Sequence, residues 1–147
     1  MEELIMCLEE ETAEYEQLLS LSQRKTPVIV SGDIAQLEKI TDEEQIIVSR
    51  ITNLDAKRET VTKDIADVIN KDVANLKLTT LIELLSNQPK QRRRLSEIHD
   101  KLSTTVKNIR LINEGNAELI KHSLEMVSFD LNMLKAMRQA PETDNYR

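Results

Sequence analysis

The spacing of apolar residues constrains this chain more than any other feature of its sequence. Between residues 37 and 68, apolar side chains recur in alternating steps of three and four, with few polar interruptions. The same spacing runs from residue 95 to residue 137. Such steps give the 3.5-residue period of helices that wrap around one another. The sequence therefore predicts long amphipathic helices that pack side by side.

The composition agrees with long helices. The 147 residues include 2 Gly, 3 Pro and no Trp, while charged residues make up 31% of the chain. Few turns and many charges are typical of coiled coils. We predict an all-α fold, an elongated antiparallel coiled coil of three long helices plus one short helix. The predicted helices cover residues 2–26, 34–71, 80–86 and 89–138 of one domain, followed by a disordered tail at 139–147.

Three residues set the predicted helix boundaries. Pro27 is expected to stop the first helix, since proline disfavours a helical residue before it. Asp33 is a candidate N-cap for the second helix. Pro89 suits the first turn of the last helix.

Polar residues interrupt the predicted helix seams at a few positions. Glu44 and Arg58 lie in the second helix, where polar seam residues fix register at a cost in stability. In the last helix, Asn116 lies on the seam and Asn113 beside it, about one turn apart. This pair is either a register device or the boundary between a packed half and a looser, partner-binding half. Gly115 between them is expected to mark a close approach or a bend.

The last helix is predicted to extend beyond the ends of its neighbours. If the three long helices fold as consecutive hairpins, residue 33 lies opposite about residue 127, and three-helix cover extends over about 103–127. Residues after about 128 then overhang. This part carries a second apolar stripe beside the first seam, formed by Ala117, Ile120, Leu124, Val127, Leu131 and Leu134. Further apolar residues widen it, namely Leu119, Met126, Phe129, Met133 and Met137.

A helix that is apolar on most of its circumference must be buried by something. The charges of this segment exclude a lipid bilayer, and they are carried by Lys121, His122, Glu125, Asp130 and Lys135. Methionine is common on surfaces that accept partner helices. We expect a protein partner, with self-association as a homodimer and internal packing as the alternatives.

Catalytic and metal-binding patterns are missing from the sequence. Cys7 is the single cysteine, and neither His99 nor His122 follows a glutamate by three residues, the spacing of di-metal bundle sites. No phosphate-binding loop or nucleophile motif is present. We therefore expect no enzyme activity, no metal and no cofactor.

Charge and hydropathy bear on location and partners. Residues 1–73 contain 8 basic and 17 acidic residues, and residues 74–147 contain 12 and 9, so the halves are expected to attract each other. The basic run at residues 90–94 lacks interleaved aromatics, and we expect no nucleic-acid binding. No apolar stretch reaches the roughly 18 residues of a membrane span. An acidic start unlike a signal peptide leads us to expect a cytoplasmic protein.

Four stretches together resemble the FlgN family of flagellar type III export chaperones. The first two are EYEQLLSLSQRK at residues 14–25 and the restart VSGDIAQLEKI at residues 30–40. The third is TLIELL at residues 80–85, similar to the short middle helix of the family. The last, INEGNAELIKHSL at residues 112–124, is similar to the family segment N-x-x-N-x-x-L-[LI]-x-x-S-L. Their order and spacing agree over nearly the whole chain.

The resemblance implies a cytoplasmic chaperone for hook–filament junction proteins (hook-associated proteins), with export apparatus components as further candidate partners. In this family the C-terminal helix engages the terminal helical segment of the substrate, which prevents premature association and aids delivery to the export apparatus. Carried onto this chain, the site comprises Leu119, Ile120, Leu124, Met126, Val127, Leu131, Met133, Leu134 and Met137. The alternative function is a structural coiled-coil homo-oligomer or adaptor with no client turnover.

Overall fold

A computed structural model describes residues 1–69 and 76–144 of the protein, with side chains as far as Arg138. These residues form four helices and no strand. The helices are α1 (Glu2–Ser31), α2 (Ile34–Ile69), α3 (Leu78–Leu84) and α4 (Pro89–Asp144). The predicted all-α fold of three long helices and one short helix is confirmed.

The end of α1 differs from the prediction, because the helix runs through Pro27 and ends at Ser31. Proline lacks the N–H that would bond the carbonyl of Gln23, four residues earlier. Gln23 and Pro27 are both exposed, so water can bond that carbonyl and the helix tolerates the proline. Gly32 then ends α1 with a left-handed φ of 72°, and its N–H bonds the carbonyls of Val28 and Ile29.

The remaining helix ends agree with the sequence to within a few residues. The Asp33 carboxylate accepts a hydrogen bond from the N–H of Gln36 at 3.1 Å, which confirms the predicted N-cap of α2. The predicted end of α2 at residue 71 lies outside the described residues. α3 begins and ends two residues earlier than predicted.

The C-terminal boundary also differs. The helical backbone of α4 continues to Asp144, where a tail beginning at residue 139 was predicted to be disordered. Residues 145–147 lie outside the described part of the chain. The division into one domain at 1–138 and a tail stays a prediction.

α1 and α2 form an antiparallel pair joined by the tight turn at Gly32. Near the turn, Lys25 Nζ lies 3.0 Å from Glu44 Oε1. Far from the turn, Arg58 Nη1 lies 3.4 Å from Glu11 Oε2. Both polar residues of the predicted α2 seam are thus paired with charges on α1, and their role in fixing register stays a prediction.

α4 runs parallel to α1 and packs against it. Arg94 near the start of α4 contacts Glu2 near the start of α1, with Nη1 2.8 Å from Oε1. Further along, Asn116 contacts Ser22. Among the described residues, no Cα atom of α2 comes within 8 Å of one in α4, and the pairing of residue 33 with about residue 127 stays a prediction. α1 is the helix that both longer helices approach most closely, and apolar side chains of α2 and α4 join the same core clusters.

The apolar core consists of two clusters along the bundle. The first lies where α1 and α4 begin and α2 ends, and α3 covers it. Its buried members are Leu4, Ile5, Leu8, Val61, Ala66, Leu76, Leu81, Leu85, Leu95 and Leu102. The second lies nearer the Gly32 turn and contains Leu18, Leu21, Ile40, Ile47, Ile51 and Ile109. Tyr15 packs against both clusters and links them.

A buried carboxyl group lies in the α1–α2 interface. Glu11 is 1% exposed, and neither of its carboxylate oxygens makes a hydrogen bond within the described part of the protein. Burial raises the pKa of Glu11 from its ordinary 4.5 to about 7, against the opposing effect of the Arg58 guanidinium, while the nearby Asp55 raises it further. Arg58 also pairs with Asp55, at 3.3 Å.

Candidate partner-binding surface on α4

The bundle covers α4 only as far as about residue 120. Asn116 is the last buried side chain, Leu119 and Ile120 are half-buried, and residues 121–138 are exposed throughout. Because Thr26 contacts Asn116 and the two helices are parallel, α1 ends at Ser31 opposite about residue 121 of α4. The overhang was predicted to begin after about residue 128, and it begins about seven residues earlier.

The uncovered part of α4 carries its apolar side chains in two stripes. Adjacent residues of an α-helix point about 100° apart, and residues three, four or seven apart share a face. Stripe one contains Leu119, Met126, Met133 and Met137. Stripe two contains Ile120, Leu124, Val127, Leu131 and Leu134. The nine residues predicted as the binding site therefore form two adjacent lines on one helix.

The side chains of both stripes beyond residue 120 are about half exposed. Their exposed fractions range from 48% at Met133 to 63% at Leu124. Large apolar patches of this kind mark interaction sites on soluble proteins. The overhang therefore has the surface expected of a docking site for protein.

Polar residues delimit the two stripes. Ser123 and Asp130 lie in a line between the stripes, on the side of α4 that faces the bundle lower down. The opposite side of the helix carries Lys121, Glu125, Ser128, Asn132 and Lys135. The apolar surface therefore covers one broad side of α4 and is divided lengthwise.

Three exposed apolar residues close to the two stripes were not part of the predicted site. Phe129, 59% exposed, lies on the edge of stripe one, and its presence in the apolar run was the available signal. Val30 and Ile34 are each 70% exposed beside the turn at Gly32, at the level where cover of α4 ends. The heptad spacing did not predict the exposure of Val30 and Ile34, because Ile34 continues the spacing of the α2 seam and Val30 lies at the end of α1.

The two asparagines have different environments. Asn116 is buried, its Nδ2 donates to the Ser22 carbonyl at 3.0 Å, and its Oδ1 accepts from the Thr26 hydroxyl at 2.6 Å. Asn113 is exposed. A side chain at Gly115 would meet no atom within 4 Å among the described residues, so the close approach expected there does not occur. The register role of Asn113 and Asn116 stays a prediction.

The basic run at the start of α4 meets the acidic start of α1. Arg94 pairs with Glu2 at 2.8 Å and with Glu9 at 3.3 Å, and Lys101 pairs with Glu16 at 3.0 Å. The expected attraction between the acidic and basic halves thus has specific contacts.

Across 1–69 and 76–144, no three His, Cys, Asp or Glu side chains come together in a way that could hold a metal ion. None of the described helices combines the length and apolar character needed to cross a membrane.

The sequence matches the model of the FlgN protein family over residues 1–147. The chain belongs to the FlgN family. FlgN proteins are chaperones of flagellar export rather than enzymes, so membership supports a flagellar export chaperone role.

A curated relative extends the comparison. The chain is 25% identical over 132 residues to the uncharacterized protein YvyG of Bacillus subtilis (strain 168). The aligned region covers 90% of this chain and 76% of the relative. No solved structure matches the chain.

The stretch of the FlgN pattern at residues 112–124 crosses the end of the covered part of α4. Asn116 near its start is held against α1, whereas Leu124 at its end is exposed. The FlgN segment therefore joins the packed and uncovered parts of one continuous helix.

Proposed function

We propose that this protein is a cytoplasmic chaperone of flagellar type III export that binds the terminal helical segment of a hook–filament junction protein. The observation that carries the proposal is the overhang of α4, where residues 121–138 present two apolar stripes that the described part of the chain leaves uncovered. Family membership supplies the flagellar context.

The binding mode is helix against helix. An amphipathic helix recognises its partner through apolar residues at spacings of three, four and seven, and both stripes of α4 have this spacing. Methionine side chains adapt to irregular partner surfaces, and stripe one contains three of them. The occupied chaperone would keep client helices from associating before export and would aid their delivery to the export apparatus.

The test is light scattering after size exclusion, with the purified chain alone and mixed with a hook–filament junction protein of the same bacterium. We expect a stable one-to-one complex, and we expect the double substitution Leu124→Asp/Leu131→Asp to abolish it. The matched control is Ser128→Asp/Asn132→Asp, which adds the same charge to the polar side of the same helix and should leave the complex intact.

The same stripes are the observation that favours the second candidate, a structural homo-oligomer. A tight homodimer that ignores the junction protein, and that the stripe-two substitutions dissolve, would replace the chaperone proposal with that candidate.

A further inference from the structure

The two stripes continue two different sides of the bundle. Leu119 lies 18 residues, or five full turns, beyond Lys101, so the two residues share a face. Lys101 pairs with Glu16 of α1. Stripe one therefore continues the side of α4 that faces α1.

The same spacing relates stripe two to α2. Ile120 lies five turns beyond Leu102, and Leu102 lines a cleft together with Asp55 and Arg58 of α2. Stripe two therefore continues the side of α4 that faces α2. Leu119 and Ile120 are both half-buried, because they stand where the cover by the α1–α2 pair ends.

One partner helix cannot cover both stripes. The stripes point about 100° apart, so a helix centred on either one leaves the other exposed. A helix centred between them would reach only the facing edges of the two stripes, which together span about half of the circumference of α4.

We propose that the partner binds α4 with two helices, one on stripe one in line with α1 and one on stripe two in line with α2. This inference rests on the proposed function and specifies the client as a two-helix unit. The complex then continues the three-helix bundle beyond Gly32. Val30, at the end of α1, contacts the end of one client helix, and Ile34, at the start of α2, contacts the end of the other. Asp130 then lies between the two client helices and needs a polar or basic partner from one of them, since a buried carboxylate without a partner is strongly unfavourable.

The two stripes contain different apolar side chains, and this difference determines which side chains each client helix can pack against them. Stripe one beyond Leu119 consists of methionines, which accept side chains of varied shape. Stripe two consists of Leu, Ile and Val, whose branched side chains select partners more closely by shape. We therefore expect the client helix on stripe two to be the more sensitive to substitution.

The first test compares stripe variants in binding to the full-length junction protein by isothermal titration calorimetry. We expect Met126→Asp/Met133→Asp in stripe one and Leu124→Asp/Leu131→Asp in stripe two each to weaken binding at least tenfold. Ser128→Asp/Asn132→Asp should change it less than twofold. All six positions are exposed, and circular dichroism should show unchanged helix content.

The outcomes separate this inference from the proposed function. If a complex forms but only one stripe pair weakens it, the two-helix client is overturned while the chaperone role stands. If the wild-type chain forms no complex, both are overturned.

A second test maps the client directly. A photo-crosslinking phenylalanine analogue placed at position 126 or at position 131 should capture two different helical segments of the junction protein, identified by mass spectrometry. Capture of one and the same segment from both positions, or of a second copy of this chain, would overturn the proposal.

Discussion

At the scale of single residues, two of the buried polar groups, Asn116 and Glu11, pair differently with their surroundings. Asn116 has a hydrogen bond for both its amide nitrogen and its oxygen. Glu11 is equally buried, and its carboxylate oxygens lack hydrogen bonds in the described structure. Satisfied groups of this kind contribute specificity, whereas an unsatisfied carboxylate costs stability when it is ionised.

Glu11 should make stability depend on pH. Its pKa is raised to about 7 in the folded state, so the folded protein binds a proton more tightly than the unfolded chain. Stability from this group is therefore highest below pH 4.5 and falls as the pH rises through 7. We expect Glu11→Gln to raise the free energy of unfolding by about 1–3 kcal/mol at pH 8 and by much less at pH 5.

Urea unfolding followed by circular dichroism at the two pH values measures this effect. The matched control is Glu10→Gln, an exposed neighbour that should change little at either pH. A loss of stability in Glu11→Gln at pH 8 would show that the contact with Arg58 outweighs the cost of burial.

The two asparagines predict a contrast of their own. Asn116→Ala removes the donor to the Ser22 carbonyl and the acceptor of the Thr26 hydroxyl, and should lower the free energy of unfolding by about 1–3 kcal/mol. Asn113→Ala, three residues away and exposed, should stay within about 0.5 kcal/mol. Equal effects in the two variants, measured by urea unfolding, would contradict a stabilising role for the buried amide.

At the scale of elements, the heptad spacing predicted the packed face of α4 well. Leu95, Leu102, Ile109 and Asn116 are all buried as the seam requires. The spacing also predicted the middle of α2, whereas Ile34 at its start is exposed because it lies beside the turn.

α1 was the least predictable long helix. It packs against two helices and so buries a wide arc of its surface. Cys7, Glu11 and Ser22 are buried in addition to leucines such as Leu4, Leu8 and Leu18. Small and charged residues do not enter an apolar stripe, so only the arrangement of the helices around α1 could reveal their burial.

Removing the overhang should abolish binding of the junction protein and leave the stability of the bundle almost unchanged. Residues 121–138 contribute no buried side chain, so a chain ending at Ile120 should unfold within about 1 kcal/mol of the full chain, since exposed segments add little to global stability. It should also lose the junction protein. Urea unfolding and light scattering measure the two effects.

The control is a chain ending at Arg138, which keeps both stripes and should bind as the full chain does. Binding by the chain that ends at Ile120 would place the site elsewhere on the bundle.

At the scale of the whole molecule, the sequence predicted the candidate surface but not where it begins. The register of α4 was inferred by pairing it with α2, whereas the contacts of Asn116 with Ser22 and Thr26 set it against α1. Such a register depends on polar contacts between residues 90 and 94 positions apart, which no local pattern contains. The division into two stripes follows from the sequence alone, and their relation to α1 and α2 required the structure.

The continuity of α4 across residue 120 also bears on how the overhang forms. Starting a helix is the unfavourable step, because several residues must be ordered for the first hydrogen bond, whereas extending one adds a bond per residue. The overhang extends a helix that the bundle has already nucleated. The proposed client would therefore meet a surface whose backbone is ordered in advance, and less conformational entropy would be lost on binding than with a disordered tail of the same sequence.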